Sequence, residues 1–180
     1  MTGIVAGFMN TVASSGTAVT LPILLFLGLN PLVANGTNRL PVFFGFLTSV
    51  FNFAKAGKIP WKPSIILSIP IASGTAIGAL FVGKLSPIYS EFFVICALVI
   101  SLTLVIINPK RFLIIEQIKN QPIRLQTLII AFIIGIWAGI VVLDSAIFVL
   151  FLLVISLKYE LLQANAIKSF LILVIGFVSL

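Results

Sequence analysis

Three runs of this 180-residue chain, about Asn35 to Ala54, Pro63 to Gly83 and Ile88 to Ile107, are each long and apolar enough to cross a lipid bilayer as one helix, and no other feature constrains the fold as tightly. A spanning helix needs about 20 mostly apolar residues, because each adds about 1.5 Å to the path through a hydrocarbon layer about 30 Å thick. A fourth run opens near Ala164 and is still apolar at Leu180. The remainder also suits lipid: 61% of residues are hydrophobic and 8% charged, against about 25% charged in soluble domains. A soluble fold of this length has too little interior to hide that surface. Backbone groups in hydrocarbon must be satisfied internally, so the expected fold is all-α, a polytopic transmembrane helical bundle.

The net charge is +7, yet the cations sit in short loops between apolar runs, which marks topology rather than nucleic-acid binding. Lys55, Lys58 and Lys62 form one basic loop; Lys110, Arg111, Lys119 and Arg124 form another, offset only by Glu116. Two crossings separate these loops, so they share a side, and the positive-inside rule makes it cytoplasmic. The turns carrying Lys84 with Glu91 and Lys158 with Glu160 are close to neutral. No cationic region precedes the first apolar stretch, so that stretch is expected to belong to the mature fold rather than to a cleaved signal. With Cys96 as the one cysteine and no histidine, neither a metal site nor a cofactor is expected, and no GxxxxGK[ST] phosphate loop occurs.

Two further apolar segments, about Met1 to Leu29 and Leu125 to Leu157, are too long for one crossing and are broken by polar residues: Asn10 to Thr17 in the first, Asp144-Ser145 in the second. Irregular backbone at membrane depth survives only where it is buried in protein or lines a wet cavity, so both breaks mark half-helices or re-entrant hairpins. The segments match in order. Gly3 and Gly7 lead to the first break and then to Ala34-Asn35 with Arg39; Gly135 and Gly139 lead to the second and then to Ala164-Asn165 with Lys168. This internal repeat divides the chain into a first transmembrane repeat (1–108), a basic cytoplasmic loop (109–124) and a second repeat (125–180) expected to be incomplete at its C-terminus. If each broken segment crosses once, the repeats are parallel; if each returns to its own side, they are inverted. The GxxxG pairs, including Gly74 with Gly78, read as static helix packing in preference to moving interfaces.

These residues carry a family resemblance. The stretch from Gly7 to Pro41, with GFMNT, TLPILLFLGL and ANGTNR, resembles the first signature of the sulfite exporter TauE/SafE family; AGIVVLDSAIF followed by LLQANAIKSF resembles the second. The resemblance covers essentially the whole chain. It implies a multi-pass protein of the inner or plasma membrane that moves sulfite, sulfonates or sulfur-containing organic acids. Ala13-Ser14-Ser15-Gly16 stands where related sequences usually show a glycine cluster, and Asp144 stands in a motif that is usually uncharged.

Arg39 and Lys168 lie just inside predicted spans, where a cation needs compensation. Either they face a wet cavity and attract an anion, which suits the planar fork of Arg39, or they snorkel to the headgroups. Asn10, Ser14, Ser15, Gly16 and Thr17 could cradle an anion or merely satisfy broken backbone. Asn35, Thr37 and Asn38 read first as N-caps and interhelical bonding groups and second as solute ligands, with Asn165 in the matching place of the second repeat. Asp144 is either a coupling-proton carrier or an ion-pair partner of Lys168 or Arg39. The expected function is secondary transport of a small anion by alternating access. A non-transporting scaffold is the alternative, and an intramembrane enzyme is least favoured for want of a nucleophile and base. The expected partners are the bilayer and a small anionic solute, with a homo-oligomer left open and nucleic acid excluded.

Overall fold

The computed structural model describes residues 20, 23–82, 84, 121–141 and 145–179 and, singly, 88, 89, 92, 95, 96 and 99. Among them the ordered elements are helical: α1 (Pro31–Lys55), α2 (Trp61–Val82), α3 (Leu125–Ile140), α4 (Ser145–Phe151), which runs on through a π turn (Leu152–Ser156), and α5 (Leu161–Ser179). Trp61–Phe81 and Leu161–Ser179 are long and apolar enough to cross a membrane. α1 is longer, but Asn35, Thr37, Asn38 and Arg39 dilute its apolar character.

The observed starts of α1 and α5, Pro31 and Leu161, precede the expected ones near Asn35 and Ala164 by a few residues. Pro31 occupies the first position of α1, where its missing N–H costs nothing, and the Ala34 N–H already bonds the Asn30 carbonyl at 2.9 Å. Likewise the Ala164 N–H bonds the Glu160 carbonyl at 2.7 Å. Asn35, Thr37 and Asn38 are therefore helix-interior residues, which corrects the N-cap expectation.

The turn before α1 and the end of α1 close alike. Gly28 has φ +86°, with Leu29 N–H on Leu24 O at 3.2 Å and Gly28 N–H on Leu25 O at 2.9 Å; Gly57 has φ +64°, with Lys58 N–H on Phe53 O and Gly57 N–H on Ala54 O, both at 3.0 Å. Each pair of bonds satisfies end carbonyls through a left-handed residue that glycine adopts without strain. Gly57→Val is expected to destabilise the protein by about 1–2 kcal/mol, read as a lower melting temperature in detergent.

The segment 121–157 is a helical hairpin. The Gln121 N–H donates to the Leu157 carbonyl at 2.9 Å, so its two ends lie side by side. α3 stops where Val141 turns extended (φ −133°, ψ 123°), and helix resumes at Ser145. The Trp137 and Phe148 rings meet edge to face at 6.0 Å and brace the two arms near this tip. Of the two geometries open for a broken segment, the second segment adopts the returning one.

α2 runs parallel to α3 at very short range. A methyl on Gly74 would overlap the Phe132 carbonyl and stand 2.9 Å from Ile136 N; one on Gly78 would meet the Ile136 carbonyl, one on Gly135 the Ile71 carbonyl, and one on Gly139 the Thr75 carbonyl. The two GxxxG pairs thus pack against each other, as close backbone approach in lipid requires. α5 runs antiparallel to α1, with Gly176 against Phe43 and Ser169 against Ser49. Val42 and Phe46, Leu67 and Ile71, Ala131 and Ala138, Leu153, and Ile167 and Leu171 form the shared core. Ile69, Leu80, Ile133, Phe51 and Phe177 point outward, an apolar exterior that suits hydrocarbon.

Connectivity then fixes two ends. Lys55, Lys58, Lys62, Arg124, Lys158 and Glu160 gather at a base, and Val141 and Ser145 lie at the opposite, tip end.

Candidate functional site

α1 carries Arg39 to the tip of the hairpin. Its Nη1 donates to the Ser179 carbonyl at 2.6 Å and its Nη2 to the Gly139 carbonyl at 3.1 Å. Gly139 is in the last turn of α3, where carbonyls lose their intrahelical partners and the helix end is partly negative. A planar fork reaches both carbonyls at once; a lysine ammonium on its flexible stem lacks that built-in geometry. The only carboxylate among the described residues is Glu160, at the base, so within them the guanidinium is held by carbonyl dipoles and not by an ion pair. It lines a closed crevice of about 10 Å³ with Val42, Ser145, Ile172, Ile175, Gly176 and Ser179, room for about one water. The Ser179 hydroxyl oxygen is buried without a partner among the described residues.

Asn38 is 3% exposed. Its Oδ1 accepts the Thr20 hydroxyl at 2.8 Å, and its Nδ2 has no partner among the described residues. Thr37 is exposed and faces away, while Asn35 lies in α1 with its side chain outside the described residues.

Lys168 sits two turns into α5 at 0% exposure, so it does not snorkel. Its Nζ donates to Asn165 Oδ1 at 2.7 Å and stands 5.8 Å above the centre of the Phe46 ring. Asn165 is oriented by its own bond from Nδ2 to the Leu161 carbonyl at 2.9 Å, which presents the oxygen to the lysine. Ser169 donates to the Asn165 carbonyl at 2.8 Å and pairs with the Ser49 hydroxyl at 2.9 Å. Eleven helical steps lead from Lys168 to Ser179, about 16 Å along α5. The two cations that the expected repeat would align therefore occupy two centres, Arg39 at the tip and Lys168 between α1 and α5 nearer the base.

Asn10, Ser14, Ser15, Gly16, Thr17 and Asp144 lie outside the described residues. Sequence reasoning missed Ser145, Ser49, Phe46 and the carbonyls of Gly139 and Ser179. Ser49 and Ser169 carry a faint signal as small polar residues facing the core stripe, whereas backbone carbonyls carry none. It also missed a cavity of about 300 Å³ between the hairpin arms at the base, lined by Gln121, Arg124, Gln126, Thr127, Ser156 and Leu157 among others.

The family model for sulfite exporter TauE/SafE matches residues 1–180. Over 76 residues, 42% of the chain, the sequence is 33% identical to a probable membrane transporter protein, ORF9, of Sinorhizobium sp. Over 80 residues, 44% of the chain, it is 31% identical to a probable membrane transporter protein of Haemophilus influenzae. These matches cover 29% and 31% of the two relatives, so the chain aligns with under a third of their lengths. No solved structure matches.

Proposed function

The chain belongs to the sulfite exporter TauE/SafE family, and from that premise we propose that it forms part of a secondary transporter that carries a small anion across the cell membrane by alternating access. Sulfite, a sulfonate or a related sulfur-containing organic anion is the solute class. The base, with Lys55, Lys58, Lys62 and Arg124, faces the cytoplasm by the positive-inside rule. α3, of 16 residues, rises about 24 Å, less than the hydrocarbon thickness of about 30 Å, so the tip stops inside the membrane. The hairpin is then re-entrant, which favours inverted halves with the solute held where broken helices meet.

The observation that carries this reading is Arg39: a guanidinium at the hairpin tip, bonded to two carbonyls and to no carboxylate among the described residues. An oxyanion can exchange for the carbonyls, since the fork matches two sulfonate or carboxylate oxygens. The crevice beside it is too small for such a group, so this conformation is closed and the tip must move from α1 to admit solute. Lys168 supplies a second positive centre along the path, and Asp144 is a carrier for a coupling proton.

The test is flux of radiolabelled sulfite, sulfoacetate and taurine into proteoliposomes holding the full-length protein, against a neutral solute of similar size. Saturable, anion-selective flux is expected. A well-folded preparation that moves no anion would sink the reading and return the scaffold to first place.

A further inference from the structure

Asn38 has no place among the Arg39 contacts, and its surroundings do not account for it. A carboxamide offers two N–H donors and an acceptor oxygen. Here the oxygen takes the Thr20 hydroxyl while the buried Nδ2 has no partner among the described residues. Turning the amide over would only exchange the orphan, leaving the oxygen without the Thr20 donor. Buried polar groups are nearly always paired, so a donor of this kind needs a reason.

Its position supplies one. Ala34 lies one helical turn earlier on the same face of α1, fully buried, in a cluster with Leu24, Leu25 and Leu29 on one side and Trp137, Ile140 and Val141 on the other. The first group follows the first interruption of the sequence; the second is the break in the hairpin. Thr20 comes from that first segment as well. The unpaired donor is therefore buried one helical turn from the place where Leu24, Leu25 and Leu29 meet the end of α3, and next in sequence to Arg39. A serine hydroxyl would offer Thr20 an acceptor without the N–H2 group of a carboxamide. Asparagine adds only the N–H group that none of the described residues uses.

We infer that Asn38 is a solute-binding residue whose Nδ2 donates to an acceptor oxygen of a sulfonate or carboxylate entering this junction. The assignment rests on the transport reading above and names the donor that reads the anion's oxygens, while Arg39 supplies the charge. Thr20 is a positioning residue, because its hydroxyl holds the amide oxygen and so leaves the nitrogen as the end that meets the solute.

The test uses radiolabelled sulfoacetate binding to the purified full-length protein by scintillation proximity, together with thermal unfolding of the solute-free protein. Asn38→Asp keeps the acceptor for Thr20 and the side-chain volume but replaces the donor with oxygen. Its Kd should rise at least about tenfold, the worth of one hydrogen bond to a charged group. Asn38→Leu should bind as weakly while melting only slightly below the wild type, because the lost Thr20 hydrogen bond is offset by removal of an unpaired donor. Unchanged affinity in both variants would overturn the assignment. So would a marked fall in melting temperature in both, which would make Asn38 a structural residue. Absence of anion flux in the wild type sinks the transport reading itself, whereas wild-type flux with intact binding in N38D removes Asn38 alone.

Discussion

Gly135→Leu is expected to separate α2 from α3 and to abolish the folded protein, while Gly45→Leu leaves it intact. At Gly135 even a single methyl would sit 3.0 Å from the Ile71 Cα and closer still to its carbonyl oxygen. These are backbone atoms of a neighbouring helix, with no rotamer to change, so relief requires the helices to move apart. Doing so breaks the reciprocal contacts of Gly74, Gly78 and Gly139 at the same time. Ordinary overpacking costs about 1–3 kcal/mol because side chains give way; here the cost should exceed about 3 kcal/mol against a total stability of about 5–15 kcal/mol. Gly45, in α1, has open space where a side chain would go, and replacing a helical glycine there gains up to about 1 kcal/mol in helix propensity. Fluorescence-detected size exclusion after a heat ramp separates the outcomes: a monodisperse, wild-type-like melt for G135L would mean that the α2–α3 interface is not what holds the hairpin in place.

The same interface shows where sequence reading stops. The apolar run Pro63 to Gly83 locates α2 within two residues of its observed bounds, Trp61–Val82, because length and hydropathy are local properties. The small faces of α2 and α3 are equally legible as GxxxG, but which faces meet is a long-range pairing that no local pattern encodes. The hairpin is half legible. The Asp144-Ser145 break is visible as polar residues in an apolar run, yet an apolar segment of that length fits a crossing or a return equally well. What decides it is the Gln121 to Leu157 bond, between residues that look like ordinary loop.

The candidate site was legible as residue types and illegible as a place. Arg39 and Lys168 stand at matching points of the two similar stretches, which suggests one shared centre. In the structure α5 runs antiparallel to α1, so residues at similar depths in their own sequences end far apart: Arg39 meets Ser179, and Phe46 meets Lys168. Snorkelling was a fair expectation for a lysine near a helix start, but α5 begins three residues earlier than hydropathy indicates and buries Lys168 completely.

Arg39→Gln should lower anion flux by about 100-fold, the value of the charge-assisted bonds that an amide cannot make to an oxyanion. It should also loosen the tip, since one carboxamide N–H2 on a shorter stem cannot reach both Gly139 O and Ser179 O. Flux loss alone would therefore be ambiguous between an anion site and a latch. Arg39→Lys separates them, because it retains the positive charge but not the fork that spans two carbonyls. If Arg39 attracts the anion, R39K keeps a substantial part of the flux that R39Q loses, even where both melt at the same lowered temperature. If Arg39 only fastens the hairpin tip to α1 and α5, flux in the two variants tracks their melting temperatures and the charge makes no difference. The latch result would move the anion's cationic partner to Lys168, whose charge lies about 16 Å nearer the base along α5, and would make the closed crevice at the tip a packing feature rather than a shut binding site.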